Sequence, residues 1–197
     1  MGLWFCRSGS RYHARLPNSP RALSAIESEE DINGAGPLKS PTDVIDFLVD
    51  QHEQIKSRFA TTLSSSGKQR EEAFLELRRL LAVHETAEEE IVHPRVKRKI
   101  AGGETVVTKR LSEEHEAKTV LSELEKLDVD SAEFTSKLTK LRDAVVDHAE
   151  HEESEEFAKL GDELSSDELE RMGRAARLAE ATAPTRPTPG WSPRSPT

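Results

Sequence analysis

Two stretches of this 197-residue chain carry the same donor groups in the same order. His52 is followed by His84 and Glu88, and His115 is followed by His148 and Glu152. The histidines of the two sets are spaced 32 and 33 residues apart, and each glutamate follows its histidine by four. Imidazole and carboxylate together suit iron, manganese or zinc. Histidine is scarce, seven in all, and four of the seven sit in this register. Residues four apart on a helix differ by about 40° in direction and about 6 Å in rise. His84 with Glu88, and His148 with Glu152, can therefore each reach one centre from a single helix face.

Four long helical patterns carry these residues. Helix one has the stripe Ile45, Leu48, His52, Ile55 and Phe59. A Ser40 cap, Pro41 at the first helical position and the acid Asp43 open it, and Ser64-Ser65-Ser66-Gly67 closes it. Helix two carries Phe74, Leu77, Leu81, His84, Glu88 and Ile91 and ends near Gly102-Gly103, with Pro94 expected to kink or break it. Helix three carries Val107, Leu111, His115, Leu121 and Leu124. Asp130 and Glu133 form the expected capping box of helix four, which carries Phe134, Leu138, Leu141, Val145, His148 and Glu152 and closes at Gly161. A short fifth helix over about 167–181 shows Leu169, Met172, Ala176 and Ala179 behind a Ser165 or Ser166 cap.

In each stripe the histidine or glutamate falls where the apolar pattern asks for leucine, so the donors point inward. Buried carboxylates are costly unless paired or metal-bound. With no lysine or arginine in these stripes, the six donors ask for a cation. Four histidines and two glutamates exceed one tetrahedral zinc. They fit two octahedral metals, each with two imidazoles, the carboxylates able to bridge and about one position left for a small ligand.

The remaining polar residues receive plainer readings. His151 is a flank residue, His93 packs, and Glu85 lies at the surface. The acidic runs around Glu88 and Glu152 are otherwise solvated faces. Leu48 and Leu111, one turn before His52 and His115, pack beside the metals.

Composition agrees with an all-α fold: 35% hydrophobic and 33% charged residues suit amphipathic helices, and period-two alternation is absent. A net charge of −9 without a basic patch argues against nucleic acid as a partner. The single cysteine, Cys6, excludes an intrachain disulfide framework. The apolar run Leu3-Trp4-Phe5-Cys6 is far short of a membrane span. A cytoplasmic setting is expected. Residues 1–39 have Arg7, Arg11, Arg15 and Arg21 ahead of the first acid, Glu27, as a transit peptide would. Pro17 and Pro20 interrupt that pattern, and a disordered extension is the reading adopted. Residues 40–161 form the bundle, 162–183 the short helix, and the proline-rich 184–197 a disordered tail.

The chain resembles the hemerythrin-like proteins of the hemerythrin/HHE cation-binding class over about residues 41–160. That motif is a helix-one His, a helix-two His-x-x-x-Glu, a helix-three His and a helix-four His-x-x-x-Glu. Here these are His52, His84 with Glu88, His115, and His148 with Glu152. The resemblance implies an up-down-up-down four-helix bundle around two non-haem iron ions, oxo- or hydroxo-bridged, with manganese or zinc as substitutes. By that implication His52 and His84 hold one iron, His115 and His148 the other, and Glu88 and Glu152 bridge. The implied partner is a small diatomic molecule or peroxide, bound or sensed. Di-iron enzymes that decompose peroxide or reduce nitric oxide, iron sensors, and structural or zinc-binding bundles use similar donors. Oxygen-carrying hemerythrins have a second helix-three histidine where this chain has Thr119, and an aspartate where it has Glu153. Those departures favour reactivity or sensing over reversible carriage.

Overall fold

The computed structural model describes residues 43–183; the expected N-terminal extension, the Ser40 cap with Pro41, and the proline-rich tail lie outside them. The helices are α1 (Val44–Ser64), α2 (Gly67–Ala87), α3 (His93–Lys99), α4 (Gly103–Leu124), α5 (Ala132–His151), α6 (Ala158–Glu163) and α7 (Ser166–Thr182). A π-helical turn over Glu88–Val92 fuses α2 to α3, and a second over Glu152–Phe157 fuses α5 to α6. With α1 and α4 these rods form the up-down-up-down bundle, and α7 packs against it as the fifth helix. Among the described residues no strand occurs, and no helix is long and apolar enough to cross a membrane.

Local chemistry sets the ends. Asp43, rather than Ser40, caps α1 by accepting the Asp46 N–H at 3.0 Å. Ser131, rather than Asp130, caps α5 by accepting the Phe134 N–H at 3.1 Å. The Asp130 carboxylate instead accepts the Gly67 N–H at 2.9 and 3.1 Å, tying the start of α2 to the α4–α5 turn. Ser165 and Glu168 form the reciprocal box that opens α7. Pro94 breaks nothing: it sits at the start of α3, just past the first π turn, where a missing N–H is tolerated. Gly161 lies within α6, and the rod ends only where Leu164 turns extended.

The core is split. One apolar cluster joins Leu48, Val92, Val96, Val107, Phe157 and Leu160 to Met172 and Ala176 of α7. The other joins Ile55, Phe59, Phe74, Leu77, Leu121 and Phe134 toward the opposite end. Between them, on α1, lies His52, so a polar layer separates the clusters.

Two glycines make the turn from α3 into α4. Gly102 has φ +77°, a left-handed conformation that glycine adopts without steric cost. Gly103 sits so close to α3 that a Cβ there would lie 2.2 Å from the Val96 carbonyl oxygen. Backbone must then shift, so Gly103→Ala is expected to cost about 1–3 kcal/mol by overpacking. Chemical denaturation of the metal-free protein measures this; an unchanged midpoint would mean that the turn has slack.

Candidate metal centre

Each donor reaches the polar layer for a local reason. His52 lies one turn along α1 from buried Leu48 and shares its face with Ile55 and Phe59. His84 and His148 close α2 and α5, and Glu88 and Glu152 each begin a π turn. Four of these groups, His52, His84, Glu88 and Glu152, present ligand atoms all within 4.8 Å of one another. A second set, Glu88, Glu114, His148 and Glu152, does the same. The two sets share Glu88 and Glu152, as two adjacent ions held between common carboxylates would require.

His115 is not among them. It lies exposed on α4, and its neighbour Glu114 is buried and faces the centre. The stripe on α4 is offset from the expected one: Arg110 is fully buried where Leu111, 36% exposed, was expected to pack. Thr119 is likewise exposed, its hydroxyl donating to the His115 carbonyl, while Lys118 points inward. The inward series was present in the sequence. Stepping back from Leu121 by three, four, four and three gives Lys118, Glu114, Arg110 and Val107. Three charged residues in that series hide it from a search for apolar stripes, which follows Val107, Leu111 and His115 instead.

The π turns account for a second correction. In a regular helix His93 would lie about 140° from Glu88 and face away. The His93 N–H instead bonds to the Glu88 carbonyl five residues back, which takes up one extra residue and returns position 93 to the inner face. His93 is 2% exposed, and its Nε2 is 2.8 Å from Glu114 Oε1. It is a hydrogen-bond partner of the centre rather than mere packing. The second π turn brings Phe157 parallel to the His52 ring, with centroids 5.8 Å apart. Glu85, Glu89 and Glu156, expected at the surface, are buried as well.

The three clustered imidazoles are oriented alike. On His52, Nδ1 meets Glu153 at 2.7 Å; on His84 it meets Gln51 Oε1 at 2.9 Å; on His148 it meets Glu113 at 2.9 Å. In each ring Nε2 turns inward, 3.5 Å from Glu152, 3.2 Å from Glu88 and 3.3 Å from Glu152 respectively. An outer acceptor that holds the Nδ1–H and bares Nε2 is how metal-binding histidines are prepared. His52 Nε2, both oxygens of Glu88 and one of Glu152 are buried with no hydrogen-bond partner. Unsatisfied buried donors and acceptors of this kind are expensive. They converge in one layer and fit a pair of cations.

Around this core runs a second ring of charge. Lys118 Nζ lies 2.6 Å from Glu89, 3.4 Å from Glu85 and 3.7 Å from Glu114. Arg110 holds Glu156 at 3.0 Å, Glu113 at 2.8 Å and Glu155 at 2.7 Å. Through Glu113 the Arg110 fork also fixes His148. A cavity of about 470 Å³ reaches the donors, lined between α4 and α5 by the apolar Ala117, Val120, Leu141 and Val145 and by the charged Glu116, Glu123, Lys137 and Lys140. His151 lines that cavity and adds no ligand atom to either set.

The metal-free centre stores protons. Burial alone would pull the His52 imidazole down, but Glu152 and Glu88 push it up to about 10. His148 is also pushed up to about 10, the Glu152 charge outweighing burial. Burial and then the Glu152 charge raise Glu88 to about 8. His84 goes the other way, held well below the usual imidazole range by burial and the His52 charge. Burial works against ionised Glu152, but His148 and His52 hold it well below the usual carboxylate range.

Two outcomes follow for solution measurements. The folded metal-free chain holds protons on His52 and His148 that the unfolded chain releases above 6.5, and one on Glu88 that it releases above 4.5. Its stability therefore falls as pH rises from about 6.5 toward 10, whereas metal affinity rises over the same range because binding displaces those protons. Denaturation midpoints and metal titrations at several pH values, with proton release in weak buffer, measure both trends; parallel trends would refute the assignment. In the same titration His115→Ala should bind metal as the parent does, and Glu114→Ala should bind the second ion about 10–100-fold more weakly. Metal loss in His115→Ala alone would restore the register expected from sequence.

Comparison with known proteins bears on the family and the fold. A protein named DNA nickase from Nostoc sp. (strain PCC 7120) is 28% identical over 147 residues, 74% of this chain and 41% of its own length. This chain thus spans less than half of that relative. The crystal structure of a hemerythrin HHE cation binding domain-containing protein from Mycobacterium kansasii shares the fold, with a TM-score of 0.64 at 17% identity, over 72% of this chain and 86% of that one. Residues 43–160, more than half of the chain, match the profile of the hemerythrin HHE cation binding domain. The protein is therefore a member of the hemerythrin HHE cation-binding family, a metal-binding four-helix bundle.

Proposed function

We propose that this chain is a non-haem di-iron protein that binds or senses dioxygen or a related small oxidant. The observation that carries the proposal is the convergence of His52 Nε2, both Glu88 oxygens and a Glu152 oxygen, all buried and without partners. His52 and His84 would hold one ion, and His148 with Glu114 the other, with Glu88 and Glu152 shared between them. A mixed imidazole and carboxylate set of this size suits iron, and manganese is the nearest substitute. Two adjacent irons supply a reversible change of redox state and a coordination position for a small ligand. The chain's own groups do the rest. Glu153, Gln51 and Glu113 fix the rings, Phe157 covers His52, and the cavity, with Ala117, Val120, Leu141 and Val145 as the apolar part of its lining, gives a small molecule room beside the donors.

The cavity also favours a second reading, a di-iron enzyme that decomposes peroxide or reduces nitric oxide. Its 470 Å³ lies in the range of organic-ligand pockets, which leaves room for a substrate larger than a diatomic gas. The nickase among the relatives is a longer protein, and a net charge of −9 opposes phosphate binding. Nucleic acid is accordingly no part of the proposal, and a cytoplasmic location is.

Anaerobic loading with ferrous iron tests it. The expected result is two irons per chain, a higher melting temperature than the metal-free protein, and near-ultraviolet absorption that changes on adding dioxygen, peroxide or nitric oxide. One zinc per chain after aerobic purification, with no such response, would refute it. Repeated consumption of peroxide or nitric oxide would select the enzyme.

A further inference from the structure

The family match ends at residue 160, yet one contact crosses from α7 into the metal layer. Glu180, half-buried on α7, accepts a hydrogen bond from Gln51 Nε2 at 2.6 Å. Gln51, 5% exposed on α1, turns its other amide atom, Oε1, to His84 Nδ1 at 2.9 Å. The order of these atoms matters. A glutamine amide has one donating and one accepting end, and which faces which neighbour is set by its partners. A carboxylate accepts, so Glu180 draws the NH₂ end toward itself and leaves the carbonyl for His84. A carbonyl can only accept, so the imidazole must carry its hydrogen on Nδ1. The bare nitrogen is then Nε2, the atom that faces Glu88 at 3.2 Å.

We infer that Glu180 is a positioning residue of the metal centre: through Gln51 it fixes the His84 tautomer that can ligate, making α7 a working part of the site. The inference rests on the metal-binding reading. It also separates His84 from its two counterparts. His52 and His148 rest on carboxylates, Glu153 and Glu113, which accept only. His84 rests on an amide that would serve either tautomer, so it alone needs a third residue to decide. Loss of Glu180 should not undock α7, because Leu169, Met172, Ala176 and Ala179 bury that helix independently.

The test compares Glu180→Leu, Glu180→Gln, Gln51→Leu and the Glu180→Leu/Gln51→Leu double variant with the parent. Nitrogen-15 NMR of the metal-free proteins reads the His84 tautomer, and competition with a chelator reads ferrous iron affinity under anaerobic conditions. The parent should show His84 protonated on Nδ1 alone. Glu180→Leu should give mixed tautomers and about 10–100-fold weaker binding of iron. Glu180→Gln keeps an acceptor for Gln51 and should stay within about twofold of the parent. In the Gln51→Leu background, removing Glu180 should weaken binding no further, since the two residues act in series. A parent-like tautomer and affinity in Glu180→Leu would overturn the inference, as would an undiminished loss in the double variant. If the parent binds no iron, the metal-binding reading fails, and the tautomer comparison alone still decides the role of Glu180.

Discussion

Everything in this bundle is arranged around a buried imbalance of charge. Glu85, Glu88, Glu89, Glu114, Glu152 and Glu156 are all buried, and the buried permanent cations among the described residues are Arg110 and Lys118. Each unpaired ionised carboxylate in such a place costs several kcal/mol. The shortfall of positive charge equals what two divalent ions supply. Without metal the layer makes up the difference with protons, which is why His52 and His148 stay charged to about 10 and Glu88 stays neutral to about 8. Metal and proton therefore compete for the same positions. The two apolar clusters above and below give the layer its rigid walls and the low dielectric that makes the competition sharp.

The two π turns solve a geometric problem that this layer creates. A regular helix can turn a histidine and a glutamate four apart toward one point, but the next residue on that face would follow only a further turn away. By starting a π turn at the glutamate, each rod returns the residue five positions on to the inner face: His93 on one, Phe157 on the other. The repeat in sequence is thus also a repeat in backbone distortion. Its two products differ. Phe157 stacks on His52 and dries that side, whereas His93 bonds to Glu114 and extends the polar network.

How far the sequence could be read follows from these two features. The stripes on α1, α2 and α5 were readable because apolar residues surround a single polar insertion, and the fold followed from them. The stripe on α4 was not. Arg110, Glu114 and Lys118 belong to it, and a series of charges reads as a solvated face unless the partners that neutralise it are known. Apart from Glu113 on α4 itself, those partners, Glu89, Glu155 and Glu156, come from other rods, so no local pattern reveals them. His93 was hidden for a different reason: a helical wheel assumes 100° per residue, and the π turn breaks that assumption at the one place where it matters. The Gln51 and Glu180 link lies beyond any spacing rule, since the two residues meet only because α7 folds back on α1.

The two ends of the centre are consequently unlike, although the sequence repeat suggested near symmetry. His52 and His84 are the more enclosed, with side chains 2% and 5% exposed, although both also line the cavity. His148 is 13% exposed and borders the cavity between α4 and α5, with Glu114 in place of a second histidine. Ala117, Val120, Leu141 and Val145 form the apolar part of the cavity lining, beside the charged Glu116, Glu123, Lys137 and Lys140. At the donors, Glu113 is held by Arg110 and His148, and one oxygen of Glu114 by His93. That unlikeness is set by α4, the helix whose charged stripe was hardest to read, because it presents Glu114 to the layer where the repeat led to the expectation of His115.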